Sequence, residues 1–316
     1  MAGEKIIAVV GATGAQGGGL ARAILDDPDG GFAVRALTRN PDSDAARALA
    51  ERGAEVVRAD LDDPESLRRA FDGAYGAYCL TNFWEHLSPE KEKEQARNMA
   101  EAAAATGLQH VIWSTFEDTR DWVPLEDDRM PTLQGSYKVP HFDGKAEADA
   151  EFRDRDVPTT FLRTSFYWEN FIYFGAGPQR GEDGVLALTM PMGDRPLPGI
   201  SAEDIGKAAY GIFQRPETYI GRTVGIAGEH ATGYEMARAL TDALGEEVRY
   251  NDVPADVYRQ FPFDGADEMG NMFQFKRDFN DAYAGQRSVE ETRDLNPELQ
   301  DLETWLGRHK DEIPIP

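Results

Sequence analysis

The segment Gly11-Ala12-Thr13-Gly14-Ala15-Gln16-Gly17 constrains the fold more than any other. It has the form G-x-x-G-x-x-G and lies between an apolar run, Lys5 to Val10, and a helical run, Ala15 to Leu25. A strand, a tight glycine turn and a helix in that order open a βαβ unit. Gly11 lets the chain turn, Gly14 lets the backbone approach a pyrophosphate, and Gly17 lets helix and sheet pack closely. The helix N-terminus then presents unpaired N–H groups and a positive dipole end to a phosphate. By itself the motif also fits a tight turn with no ligand; its place between strand and helix argues for a dinucleotide.

The alternation continues. Phe32 to Thr38 reads as a second strand, Asp44 to Arg52 as a helix and Glu55 to Arg58 as a third strand. The helix Pro64 to Phe71, the strand Gly76 to Leu80 and a long helix from Ser88 to Thr106 follow. His110 to Ser114 is a fifth strand, His141 to Arg155 a helix and Thr159 to Arg163 a sixth strand. Near-continuous apolar strands separated by helices predict an α/β fold, a Rossmann-type doubly wound parallel sheet covered on both faces. After Arg163 the pattern changes. Aromatics cluster in Phe166-Tyr167-Trp168 and Phe171-Ile172-Tyr173-Phe174, and glycine and proline become frequent from Gly175 to Gly199. Ser201 is placed to cap a helix whose first turn holds Glu203 and Asp204. Thr223 to Ala227 reads as a strand, and Thr232 to Glu312 as mostly helical, with a short strand at Glu247 to Tyr250. The expected organisation is a dinucleotide-binding Rossmann domain over 1–165, with return elements around 200–227. A smaller, mostly helical C-terminal domain from 166–199 and 228–316 would face a substrate or partner. The aromatic run reads as core or domain interface and also suits the wall of a flat substrate's pocket.

The choice of dinucleotide turns on the second strand. NAD-binding folds place an acid at its tip for the ribose 2′-hydroxyl. Here the tip is Thr38-Arg39-Asn40, with no acid, and the planar fork of Arg39 suits the 2′-phosphate of NADP. NADP(H) is therefore favoured over NAD(H). Asp60, after the third strand, is a candidate adenine contact, and Thr81-Asn82, after the fourth, should lie near the middle of the cofactor.

The 57 acidic residues outnumber the 33 basic ones, for a net charge of −24, and only eight of the basic residues are lysines. No basic patch offsets repulsion from phosphates, so direct nucleic-acid binding is disfavoured. Acidic runs recur along the chain, as in Asp60-Leu61-Asp62-Asp63 and Glu126-Asp127-Asp128. Each reads as a solvated face; together they suggest a halophilic, salt-screened setting. Cys79 is the single cysteine and reads as a small core residue. No apolar run approaches membrane-spanning length, and Met1-Ala2-Gly3-Glu4-Lys5 lacks a signal-peptide layout, so the expected location is cytoplasmic. His86, His110, His230 and His309 lack metal-ligand spacing, so no metal is expected. Neither a G-x-S-x-G elbow nor a P-loop lysine pattern is present.

The glycine turn, Thr38-Arg39-Asn40, Thr81-Asn82-Phe83-Trp84, His141-Phe142-Asp143-Gly144-Lys145 and Tyr167-Trp168-Glu169-Asn170 occur in the order and spacing of NmrA-like proteins. The sequence resembles this family, atypical members of the short-chain dehydrogenase/reductase superfamily, and especially its redox-sensing members. The resemblance covers nearly the whole chain, including the region of Trp305. It implies an NADP-binding domain with cofactor contacts at Gly11, Thr13, Gly14, Ala15, Gln16, Gly17, Thr38, Arg39, Asn40, Asp60, Thr81, Asn82, Phe83, Lys145, Tyr167, Trp168, Glu169 and Asn170. Two departures stand out. The loop Glu117 to Pro140 is longer than in the redox-sensing members. A lysine expected in the helix after Trp84 is Glu94 here, with Lys91 and Lys93 nearby.

Catalytic short-chain dehydrogenases carry a tyrosine four residues before a lysine on one helix. Here Lys145 fills the lysine position, but His141 stands where the tyrosine would be. Imidazole can exchange protons near neutral pH, so His141 and Lys145 are the catalytic candidates, with Tyr137 in the preceding loop as a third. His141 equally suits a packing or capping role, with Lys145 only binding ribose. Ser114, ending the fifth strand, lies where a catalytic serine would. Two functions stay open: a non-catalytic NADP(H) sensor or regulator with a protein partner, and an NADPH-dependent reductase of quinones, enals or aromatic carbonyls. Either would act as a monomer or a homodimer.

Overall fold

The computed structural model describes residues 4–173 and 175–316; Met1, Ala2, Gly3 and Phe174 lie outside the described residues. In chain order the elements are β1 (Lys5–Val10), α1 (Ala15–Leu25), β2 (Phe32–Thr38), α2 (Asp44–Glu51), β3 (Glu55–Arg58), α3 (Pro64–Phe71) and β4 (Gly76–Cys79). Then come α4 (Pro89–Thr106), β5 (His110–Thr115), α5 (Pro140–Arg153), β6 (Thr159–Arg163), β7 (Phe166–Tyr167), α6 (Asn170–Tyr173), β8 (Gln179–Arg180), β9 (Leu186–Met190) and β10 (Leu197–Ile200). The chain continues with α7 (Ala202–Phe213), α8 (Pro216–Tyr219), β11 (Thr223–Gly225), β12 (Glu229–Ala231), α9 (Gly233–Leu244) and β13 (Val248–Asp252). It ends with α10 (Ala255–Tyr258), α11 (Ala266–Asp278), α12 (Asn280–Gly285), α13 (Val289–Leu295) and α14 (Leu302–His309). The strands and helices of the first half fall within two residues of the sequence expectation. Among the described residues, no helix is long and apolar enough to cross a membrane.

The chain divides into two compact units. The first comprises 1–118, 141–163 and 202–224; the second comprises 119–140, 164–201 and 225–316. The segment 119–140, read from the sequence as part of the first domain, groups with the second unit.

The first unit is built on a seven-stranded sheet in the order β11-β6-β5-β4-β1-β2-β3. Its pairings from β3 through β6 are parallel. The chain order reverses beside β1, which pairs with both β2 and β4. This is the switch point where doubly wound sheets open a crevice at the strands' carboxyl ends. One face of the sheet packs its core against α3, α4 and α5 through Leu67, Phe71, Met99, Val111, Trp113 and Phe152. Burying each of these large side chains is worth roughly 1.5–3 kcal/mol. Cys79 belongs to that core, and burial pushes its thiol pKa up. It is a packing residue, as its apolar neighbours suggested. On the other face α1 meets α7 almost backbone to backbone. A Cβ on Gly19 would stand 3.0 Å from the Ala202 carbonyl oxygen, and one on Gly206 would collide with the backbone of Leu20 and Gly19.

Several buried polar groups of this core are hydrogen-bonded, whereas His110 Nδ1 has no hydrogen-bond partner among the described residues. His110 Nε2 hydrogen-bonds Thr160 Oγ1 at 2.9 Å, and burial pushes its pKa down to about 4. Asp149 of α5 accepts from Trp113 Nε1 (3.0 Å), Thr115 Oγ1 (2.7 Å) and Arg153 Nη2 (3.1 Å). Burial outweighs these bonds and pushes Asp149 up to about 6. A carboxyl raised on folding lends stability that is complete below its unfolded pKa and lost as pH rises through about 6. Asp149→Asn removes that titration. Relative to wild type, the variant should gain on the order of 2–3 kcal/mol between pH 4 and pH 7, read from urea midpoints across that range. A constant difference between the two proteins over those pH values would refute it.

The second unit holds two three-stranded sheets, β12-β10-β7 and β13-β9-β8. The Trp168 indole stands where a Cβ on Gly199 or Gly228 would crowd it, 2.4 and 2.9 Å away, and close to Trp305 (ring centroids 6.1 Å). The long loop 119–140 is held by a lysine. Lys138 Nζ donates to the carbonyls of Leu125 (3.2 Å), Asp127 (2.9 Å) and Met130 (2.7 Å). Asn271 of α11 donates to the carbonyls of Pro131 (2.9 Å) and Lys138 (2.6 Å).

Candidate functional site

A cavity of about 570 Å³ opens in the first unit at the carboxyl ends of β1, β2 and β4 and beside the residues after β3. Val10, Gly11 and Thr13 form its part beside the glycine turn; Thr38, Arg39 and Asn40 come from the tip of β2. Asp60, Leu61 and Asp62 follow β3, and Leu80, Asn82, Glu85 and His86 follow β4. Lys91 and Gln95 reach it from α4.

The turn owes its shape to its glycines. Gly11 has φ +62°, a left-handed conformation that a side chain would strain, and its carbonyl accepts the Gly14 N–H at 2.8 Å. A Cβ on Gly17 would stand 2.5 Å from the Gly11 carbonyl oxygen and 2.6 Å from that of Val10. Only glycine lets α1 start so close to β1. No side chain caps α1, and its first turn carries no acid, an arrangement in which the positive dipole end suits an anion. Gln16 turns inward and accepts from Tyr78 Oη (2.6 Å) and Ser114 Oγ (3.0 Å). Ser114 is therefore tied to the glycine helix.

Arg39 makes a two-pronged pair with Glu85, Nη1 to Oε2 and Nη2 to Oε1, both 2.9 Å. The Arg39 hydrogen bonds hold the Glu85 carboxyl below its ordinary pKa. Lys91 pairs with Asp62 (2.9 Å) and Glu94 (3.0 Å), whereas Lys93 is bound to Glu147 (2.8 Å). Of the two lysines near the altered position, Lys91 is thus the one that lines the cavity.

Behind the cavity lies a buried ion pair. Lys145 Nζ meets Glu92 Oε2 at 2.8 Å and donates to Thr81 Oγ1 (2.5 Å) and the Thr81 carbonyl (3.1 Å). Thr81 Oγ1 in turn donates to Glu92 Oε2 at 2.5 Å. Lys145 thus gives two hydrogen bonds to Thr81 and has Glu92 as its ion-pair partner. Glu92 Oε1 and His86 Nε2 stand 3.6 Å apart, and neither has a hydrogen-bond partner among the described residues. His86 Nδ1 accepts the Ser88 N–H, so its ring proton lies on Nε2, toward Glu92. Reading the sequence missed Glu92, because Glu90-Lys91-Glu92-Lys93-Glu94 looks like a solvated charge run. A signal was present: Glu92 shares the stripe of Ala96, Met99, Ala100 and Ala103, the buried face of α4.

His141, one turn before Lys145 on α5, is buried among rings. Phe142 lies 4.7 Å from it, Trp84 5.1 Å, and Phe83 and Phe116 5.8 Å each, centroid to centroid. Trp84 remains 42% exposed.

The candidate residues therefore separate into groups. Gly11, Thr13, Thr38, Arg39, Asn40, Asp60 and Asn82 line the cavity. Gly14, Ala15, Gln16 and Gly17 form the turn and helix start beside it. Thr81, Phe83 and Lys145 are buried. Tyr137 and Tyr167 to Asn170 belong to the second unit. There Tyr137 is buried in the turn Leu133–Tyr137 under the Arg120 guanidinium (5.3 Å). Tyr167 Oη meets Thr164 Oγ1 at 3.2 Å, Trp168 is buried, and Glu169 accepts from Trp305 Nε1 at 3.2 Å. Within that unit Trp168 and Glu169 have structural roles; Phe166, Trp168 and Phe171 are core, as the aromatic run suggested, whereas Tyr173 is exposed and Phe174 lies outside the described residues.

The model of the NmrA-like family matches residues 3–306. The chain belongs to the NmrA-like family. One curated relative is the NmrA-like family domain-containing oxidoreductase FrzB of Cladobotryum sp., 31% identical over 290 residues, 85% of this chain and 83% of the relative. Among solved structures, the fold is shared with NmrA, a negative transcriptional regulator solved with NADP (TM-score 0.77, 23% identity, 96% of this chain and 95% of that one). It is also shared with the triphenylmethane reductase of Citrobacter sp., solved with NADP(H) (TM-score 0.74, 20% identity, 96% and 98% covered). The family thus has both a regulator and a reductase among its structural neighbours.

Proposed function

We propose that this chain binds NADP(H) in the cavity beside the glycine turn and responds to the cofactor's redox state without turning it over. Arg39 carries the reading: its guanidinium stands at the tip of β2, in a cavity that begins at Gly11 and Thr13, where dinucleotide folds read the ribose 2′ position. The NADP complexes of NmrA and of the Citrobacter reductase support the same assignment. Thr38, Asn40, Asp60 and Asn82 would line the nucleotide, and Gly14 to Gly17 would offer the α1 N-terminus to the pyrophosphate. Bound NADPH supplies a hydride donor.

Sensing is favoured over turnover by α5. No tyrosine stands one turn before Lys145, and the lysine is engaged by hydrogen bonds to Thr81 and an ion pair with Glu92. Whichever redox form binds one conformation better shifts the equilibrium toward it and changes the surface offered to a protein partner. A second reading, an NADPH-dependent reductase of quinones, enals or aromatic carbonyls, is favoured by relatives named oxidoreductases and by His141 beside the half-exposed Trp84. A flat acceptor would stack on that indole, within reach of an imidazole proton. The acid-rich surface fits a cytoplasm of high salt, where self-repulsion is screened.

The test is a fluorescence titration of the full chain with NADPH and with NADH, in dilute and in concentrated KCl. Quinone and aldehyde acceptors are then added while the reduced-nicotinamide absorbance is followed. NADPH binding without acceptor-dependent oxidation is the expected result. Acceptor-dependent oxidation overturns sensing in favour of the reductase, and failure to bind either cofactor overturns both.

A further inference from the structure

We infer that Glu85 is an internal stand-in for the cofactor's 2′-phosphate and sets how strongly the chain prefers NADP over NAD. This rests on the reading of the cavity as an NADP(H) site. The Arg39 fork is already filled by a carboxylate of matching geometry, with two parallel contacts of 2.9 Å. Phosphate and carboxylate compete for the two terminal N–H groups that Glu85 holds, so the 2′-phosphate must either displace Glu85 or use the remaining N–H groups of the fork. Asn82 Nδ2 helps to hold the carboxylate, at 3.3 Å from Oε1. The two partners come from different strand ends, Arg39 from β2 and Glu85 from the short turn Phe83–Glu85 after β4, so their pair spans the cavity.

The surroundings point the same way. Asp60, Asp62 and Glu85 line the cavity, against Arg39 and Lys91, and Lys91 is engaged by Asp62 and Glu94. A dianionic phosphate entering this site is repelled by the carboxylates and attracted by a guanidinium that already has a partner. A ribose 2′-hydroxyl meets no such opposition and can donate to a carboxylate, as in NAD-binding folds. Arg39 thus favours NADP and Glu85 favours NAD, and their balance gives a broad preference. Both side chains face solvent, 65% and 46% exposed, so the pair is weak enough for NADPH to break.

Glu85→Gln and Glu85→Ala, measured beside wild type by the same titration, should tighten NADPH binding about three- to tenfold and leave NADH within about twofold. In an Arg39→Ala background the Glu85 substitutions should raise the NADPH/NADH ratio less than they do in wild type, because only the repulsion between carboxylate and 2′-phosphate is then relieved; an undiminished rise would overturn the inference. Unaltered thermal midpoints check that the exposed substitutions leave the fold intact. Equal tightening for both cofactors would assign Glu85 to general charge repulsion and overturn the inference. Weaker NADPH binding, or an unchanged ratio, would overturn it as well. If wild type binds neither cofactor, the cavity reading itself has failed, an outcome distinct from all of these.

Discussion

Lys145→Met is expected to destabilise the first unit by about 3–5 kcal/mol, because it leaves a buried carboxylate without its cation. Glu92 is wholly buried, and the Lys145 ammonium at 2.8 Å is its charge partner. Thr81 offers one hydroxyl proton to the same oxygen and cannot replace a charge. Glu92→Gln should cost a similar amount by stranding the ammonium. The double variant Lys145→Met with Glu92→Met should recover most of the loss, since well-packed apolar groups commonly replace a buried pair with little penalty. Urea midpoints of the two single variants and the double form a cycle whose coupling term reads the pair directly. Additive losses would mean that the two residues act separately and that Lys145 has another role. The stakes are functional as well as structural. A lysine held this way fixes α5 against α4 and the end of β4, which is where the cavity's Asn82 and Glu85 begin.

Gly206→Ala should be nearly as damaging, although it adds a single methyl group. The new Cβ would fall on the backbone nitrogen of Leu20 and the carbonyl carbon of Gly19, well inside the closest separation real structures tolerate. A side chain can rotate away from a clash; a backbone in the middle of α1 cannot. The helices must separate, and overpacking of this kind costs about 3 kcal/mol or more. Since α1 begins at the glycine turn, its displacement should also weaken NADPH binding. Thermal unfolding and the NADPH titration of Gly206→Ala measure the two effects. The control is Gly307→Ala, where an added Cβ meets nothing within 4 Å. If Gly206→Ala unfolds at the wild-type midpoint, the close approach of α1 and α7 is not what the glycines are for.

Much of the first unit was legible in the sequence because its signals are local. A strand of apolar residues, a glycine that must take positive φ and a capped helix are each specified within about ten residues. Asp63 and Ser88 cap α3 and α4 by accepting backbone N–H groups, each helix with proline in its first turn. The glycine turn and the tip of β2 were legible for the same reason. They lie at the ends of elements whose boundaries the sequence marks, and the parallel sheet brings those ends together.

The sequence did not reveal what those residues touch. Arg39 reads as an isolated cation and proves to be clasped by Glu85, 46 positions away. Lys145 reads as a candidate for chemistry and proves to be the counter-ion of Glu92, a residue hidden in an apparently solvated run. Tyr137, named as a proton donor, is buried in a turn of the second unit. The local sequence of this protein determined its strands, its helices and its glycine turn, because periodicity, capping and backbone freedom act over a few residues. Only the tertiary structure decided which charges pair, which glycines are closely packed and which side chains remain open to a ligand. Those outcomes depend on burial and distance between segments far apart in the chain, and no short window contains both partners.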